Sequence, residues 1–137
     1  GPGGYGTLLM FGEHVKEISE GFRLTTNNRM ELLAVIKGLE ALTREGVEVD
    51  VYSDSKYVVD AVEKRWVMGW EKKGYKGKKN PDLWQRFLVV YRKHVVKFHW
   101  VKGHAGDPLN ERVDAMAVAA YQTGDLLTDA WYEANQA

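Results

Sequence analysis

Residues 47–62 constrain the fold most tightly. Val47, Val49 and Val51 alternate with Glu48, Asp50 and Tyr52, the period of two of a half-buried strand. Ser53-Asp54-Ser55 follows at once, and Val58, Val59 and Val62 then recur at helical spacing toward Trp66 and Trp70. A strand that hands over directly to a helix is an α/β element. In open α/β sheets the carboxyl end of such a strand is where ligands bind, and Asp54 stands there.

The rest of the chain builds around that unit. Tyr5 to Phe11 is a short apolar run between glycines and charge, and Glu13 to Phe22 is expected to pair with it as a second strand. Thr26 or Asn27 caps a helix running to about Thr43, with Gly46 just beyond. Pro81-Asp82 opens another helix through Leu83, Trp84, Phe87 and Leu88. Val95 to Val101 reads as a strand, Lys102 to Asp107 as a loop, and Pro108 to Tyr121 as a helix capped by Asp107. The tail after Gly124 has no clear period. Strands first, then alternating helix and strand, predict a mixed central β-sheet flanked by α-helices in one domain, residues 1–137.

Composition narrows the function. At 137 residues with 45% apolar and 28% charged content, the chain is long enough to bury a core. It has no cysteine, which excludes disulfides, thiolate metal sites and cysteine nucleophiles, and is compatible with a cytoplasmic setting. No apolar run approaches membrane-spanning length, so no membrane partner is expected. Net charge is zero, so any polyanion must be met by local positive charge. Lys72, Lys73, Lys76, Lys78 and Lys79 supply such a patch. Gly1-Pro2 opens the chain without an initiator Met, which fits either the interior of a longer chain or the remnant of tag removal.

Three acidic residues stand where apolar ones would pack. Glu31 shares a helical line with Ala34, Val35, Gly38 and Leu42, and Asp114 lines up with Ala117, Val118 and Tyr121. Asp54 ends a strand. Singly, each has an ordinary explanation: Glu31 and Asp114 complement helix dipoles, and Asp54 caps the next helix. Together, three carboxylates from three elements suit hard divalent cations, which take oxygen ligands. They point to metal-dependent phosphodiester chemistry.

The stretches carrying them are longer than a lone motif: Gly3-Gly4-Tyr5-Gly6, Thr25-Thr26-Asn27-Asn28-Arg29-Met30-Glu31-Leu32, Ser53-Asp54-Ser55, Asp82-Leu83-Trp84-Gln85 and Val101-Lys102-Gly103-His104, then Asn110-Glu111-Arg112 and Asp114. In these the chain resembles the bacterial type of ribonuclease H, family one, over essentially its whole length. The resemblance implies a ribonuclease H-like fold. It also implies an endonuclease that cleaves the RNA strand of an RNA–DNA hybrid and leaves 5′-phosphate and 3′-hydroxyl ends. In that family four carboxylates hold two Mg²⁺ ions, with Mn²⁺ a possible substitute. Glu31, Asp54 and Asp114 match three of the four, and His104 matches the histidine that assists proton transfer and product departure. The enzyme is expected to act as a monomer.

The fourth carboxylate has no counterpart in these residues. Family members open with a strand ending in Asp-Gly-(Ser or Ala) ahead of the glycine turn in which this sequence begins. Two expectations follow. Neighbouring strands should keep unpaired backbone groups, each costing roughly 1–3 kcal/mol if buried. Catalysis by this chain is in doubt, with a non-catalytic hybrid-binding module as the alternative. Asp129, among Leu126, Leu127 and Trp131, is a conceivable but weak substitute ligand.

The resemblance also carries the substrate contacts. Asn27 and Asn28 match residues that read the hybrid's minor groove, and Ser55 stands beside a metal ligand; helix capping is the competing role for each. Trp66, Lys72, Lys73 and Lys76 match a basic protrusion that grips the DNA strand, while Trp70 and Trp84 are assigned to packing. A pocket for a DNA phosphate often uses an Arg, a Thr and an Asn. Here Thr26 remains, Asn80 is the candidate Asn or a plain turn residue, and Leu24 replaces the Arg beside Arg23. Hybrid affinity is therefore expected to be weaker than in close relatives and carried chiefly by the lysines. Integrases, transposases and the ribonuclease H domain of reverse transcriptases share the fold, so fold alone does not choose the substrate.

Overall fold

The computed structural model describes residues 1–103 and 106–136. Strands β1 (Gly3–Phe11) and β2 (His14–Phe22) form an antiparallel hairpin, registered from Gly3 opposite Phe22 to Phe11 opposite His14. Gly12 turns the hairpin with φ +58°, a left-handed conformation in which a Cβ would be strained. Strands β3 (Glu48–Ser53) and β4 (Val95–Trp100) run parallel, with Ser53 opposite Trp100. The mixed α/β architecture is the expected one, but its strands lie in two separate pairs rather than one continuous ladder. Among the described residues β1 and β3 each keep one edge without a ladder partner.

Helix α1 (Asn27–Glu40) holds the pairs together, packing on β1, on α2 (Lys56–Glu63) and on α4 (Pro81–Tyr91). Its buried face carries Met30, Leu32, Leu33, Ile36 and Leu39, and meets Val58, Val62, Trp84, Phe87 and Phe98 in one core. Trp84 is fully buried and Trp70 packs edge-on against it at 5.8 Å, which bears out their assignment to packing.

The helix expected from Ser55 to Trp70 is broken. Arg65 takes a left-handed φ of 60°, and the chain restarts as α3 (Trp66–Lys72). Nothing local demands the break, since arginine is a good helix former. The restart buries Val67 completely.

Helix α5 (Pro108–Thr123) lies across the hairpin, and the glycines explain how closely. A Cβ at Gly4 would stand 2.4 Å from the Ala117 carbonyl oxygen, and one at Gly21 would stand 2.2 Å from that of Ala120. Only glycine permits this approach, which sets the height of α5 and of Asp114 upon it. The tail is ordered by pairing rather than by period. Leu127 bridges Phe22 beside β2, and a short helix α6 (Ala130–Ala134) follows, capped by Asp129.

Candidate active site

Each carboxylate is placed by a cap or a turn. Thr26 caps α1, its Oγ1 accepting from the Arg29 amide at 3.2 Å, and this sets Glu31 in the second turn, half-buried beside Met30 and Leu32. After β3 the Ser53 hydroxyl accepts from the Ser55 amide at 3.1 Å, and Ser55 in turn caps α2 by accepting from Val58 at 3.3 Å. That double turn places Asp54, half-buried, at the strand end. The parallel partner continues past it as Val101 donates to the Ser53 carbonyl at 2.9 Å. A Cβ at Gly103 would lie 3.2 Å from Asp54 Oδ2, so the 101–103 segment runs directly beside the carboxylate. On α5, Asp107 caps by accepting from Leu109 and Asn110, both at 3.2 Å, and Asp114 follows two turns later, exposed.

The three act on one another. Burial, then the charges of Asp54 and Asp114, push the Glu31 carboxyl from an ordinary 4.5 up to about 7. Asp114 is likewise raised, by burial and then by Asp54. Like charges gathered in partial burial do this when no cation neutralises them. Among the described residues no Lys, Arg or His is ion-paired with Glu31, Asp54 or Asp114. Oxygen donors with uncompensated charge are what a hard divalent cation requires. Among the described residues no three His, Cys, Asp or Glu side chains stand close enough together to hold a metal ion.

The other predicted residues divide. Asn27 and Asn28 are exposed at the start of α1, free of cap duty because Thr26 performs it. Trp66 is 47% exposed with Lys64 Nζ over its ring at 5.1 Å, and Lys72, Lys73 and Lys76 are exposed nearby in sequence. Ser55 is occupied as a cap. Asn80 is buried, in a left-handed turn with φ 60°. Its amide donates to the Tyr57 hydroxyl at 3.0 Å and accepts from Arg29 at 3.3 Å, which holds Asn80 in the fold. His104 lies outside the described residues. Of the remaining histidines, His94 accepts from the Val47 amide and His99 is stacked on Tyr52 beside Asp50.

Asp129 is no substitute ligand. Its Oδ2 accepts from Thr25 and from Arg29 Nε, both at 2.7 Å, and its Oδ1 from Arg29 Nη2 at 2.9 Å. Burial raises its carboxyl, but these hydrogen bonds outweigh burial and hold it below the usual carboxylate range. Arg29 itself was legible only as part of a motif. Its sole signal was a charge on the face of α1 that carries Leu32 and Leu33.

The site of this α/β protein is a set of three carboxylates, two of them raised by the charge of Asp54 at the carboxyl end of a parallel strand. A family model described as RNase H matches residues 1–122. A ribonuclease H of Desulforamulus reducens is 54% identical over 134 residues, covering 94% of this chain and 84% of that protein. One of Syntrophus aciditrophicus is 50% identical over 137 residues, covering 96% and 79%. Among solved structures, LC9-RNase H1, a type 1 RNase H with the type 2 active-site motif, superposes with a TM-score of 0.71 at 28% identity, covering 98% of this chain and 80% of that one. The chain belongs to the RNase H family.

Proposed function

We propose that this protein is an endonuclease that hydrolyses the RNA strand of RNA–DNA hybrids with Mg²⁺, leaving 5′-phosphate and 3′-hydroxyl ends. The observation that carries the reading is the mutual repulsion of Glu31, Asp54 and Asp114 in a chain of the RNase H family. Those three residues would hold the ions. When bound, two such ions supply an acidified water and neutralise charge on the phosphate and the leaving oxygen. Mn²⁺ offers the same coordination chemistry.

The chain's own contribution is placement. Asp54 stands on a rigid strand end, and Glu31 and Asp114 are carried by helices whose capped starts fix their register. Asn27 and Asn28 present amides to minor-groove edges and 2′-hydroxyls, the groups that distinguish an RNA strand. Trp66, Lys72, Lys73 and Lys76 meet the DNA strand, and His104 moves a proton during turnover. On this reading the protein works as a cytoplasmic monomer. Among the described residues no helix is long and apolar enough to cross a membrane.

The test is end-labelled hybrid incubated with this chain in Mg²⁺, with Mn²⁺ and chelator controls. Chelator-sensitive cuts confined to the RNA strand are expected. Binding without cuts would instead favour a hybrid-binding module.

Electrostatic attraction by the lysines has its own signature. Replacing Lys72, Lys73 and Lys76 with Ala should flatten the dependence of log affinity on log salt by roughly 0.9 for each phosphate no longer neutralised. An unchanged slope in a salt titration would place the DNA strand elsewhere.

A further inference from the structure

Three chain segments far apart in sequence converge on one buried guanidinium. Arg29 is 1% exposed. Its Nε and Nη2 donate to Asp129, its Nη1 and Nη2 to Asp82 at 2.9 and 2.7 Å, and its Nη1 to Asn80 at 3.3 Å. Those five bonds use every donor the group has. Thr25 Oγ1 donates to Asp129 at 2.7 Å, and the Trp131 ring lies 5.1 Å from the guanidinium carbon. Burial alone would lower the basicity of Arg29, and the bonds and charges of Asp82 and Asp129 more than reverse it.

The segments joined are the start of α1, the start of α4 and the start of α6. The first carries the exposed Asn27 and Asn28, immediately before Arg29. The second, Asn80 to Asp82, is where the basic loop of Lys72, Lys73 and Lys76 re-enters the core, and Asn80 is itself bonded to Tyr57. The third is held independently at the surface, where Arg23 meets Glu133 at 2.7 Å. A planar fork saturated on three sides fixes distance and angle, as a flexible ammonium does not.

We infer that Arg29 is a positioning residue for substrate recognition: with Asp129 as its anchor, it sets the spacing between the asparagine pair and the basic loop. The inference rests on the hybrid-binding reading above. Through it the tail takes part in recognition while remaining outside the site. The two segments address different strands, so their spacing matches one duplex geometry. An RNA–DNA hybrid needs both at once, whereas non-specific DNA binding needs only the lysines.

The experiment measures metal-free affinity for an RNA–DNA hybrid and for a DNA duplex of the same sequence, with melting curves to keep every variant folded at the assay temperature. Asp129→Asn, which keeps the shape and removes the charge, and Arg29→Lys, which keeps the charge and removes the fork, are both expected to weaken hybrid binding about tenfold. Duplex binding should stay within about twofold, so the preference for hybrid collapses. Glu133→Gln loosens the tail without touching Arg29 and should preserve the preference. A lowered melting temperature with an unchanged hybrid-to-duplex ratio in Asp129→Asn would overturn the inference, even if Arg29→Lys does not fold. A wild-type chain with no hybrid affinity would overturn the functional reading, and this inference with it.

Discussion

Asp54→Asn is expected to slow hybrid cleavage by about a thousandfold or more while leaving hybrid affinity within about twofold. Asp54 is the charge that both other carboxylates register: it raises Glu31 and it raises Asp114. It also stands directly after β3 and beside Gly103. Asparagine preserves the shape and one acceptor oxygen but removes the charge that a hard cation needs. Binding should survive because the groups proposed to grip the hybrid, Asn27, Asn28 and the lysines, are on other elements. A second readout needs no turnover. Carbon-detected NMR titration of the metal-free variant should show Glu31 and Asp114 titrating at lower pH than in wild type. Near-normal cleavage together with unmoved titrations would remove Asp54 from the centre of the site.

Glu31→Gln is expected to stabilise the metal-free protein at pH 8 and to do almost nothing at pH 4. Burial and like charge push the folded carboxyl up to about 7 from an ordinary 4.5. Between those values the folded state binds more protons than the unfolded one, so stability falls as pH rises. The contribution is fully present below 4.5 and lost by about pH 7. Two and a half pKa units correspond to about 3 kcal/mol of lost stability in the wild type. Glutamine has no proton to lose and escapes that loss. Asp114 adds to the same trend, since it too is raised. Urea denaturation in chelator at pH 4, 6 and 8 measures the effect. Curves for the two proteins that stay parallel across that range would show that neither burial nor like charge raises Glu31.

The opposite sign belongs to Asp129. Its carboxyl is held low by Arg29 and Thr25 against the effect of burial. Its stabilising contribution is present above the usual carboxylate range and disappears as pH falls through the depressed value. The metal-free protein should therefore lose stability at both ends of the scale for different reasons, Glu31 toward neutral pH and Asp129 toward acid.

The two carboxylates differ equally in how legible they were. Glu31 announced itself because a helix has a fixed period, and a charge on the line of Ala34, Val35 and Gly38 breaks a pattern that local sequence defines. Asp54 was visible at a strand end for the same reason, since alternation stops at Ser53 and helical spacing begins at Val58. The caps were legible too: Thr26, Ser55 and Asp107 act on amides two or three residues away. Trp84 was sorted correctly into the core, and Trp66, expected to meet the nucleic acid, is at the surface.

What failed were interactions with partners distant along the chain. The break at Arg65 has no local cause and is compensated by the burial of Val67. Asn80 reads as a turn residue or a ligand, and only the positions of Tyr57 and Arg29 show that its amide is occupied. The aperiodic tail is ordered by Arg29, which stands one hundred residues before Asp129.

By itself the sequence determined the elements, their order, their caps and the three acidic positions, because those depend on backbone periods and on hydrogen bonds spanning a few residues. Only the tertiary structure decided that the strands form two pairs, that the carboxylates crowd one another, and that a buried guanidinium ties the tail to the start of α1. Ladder pairing, charge repulsion and burial depend on distance in space, and sequence separation does not encode that distance.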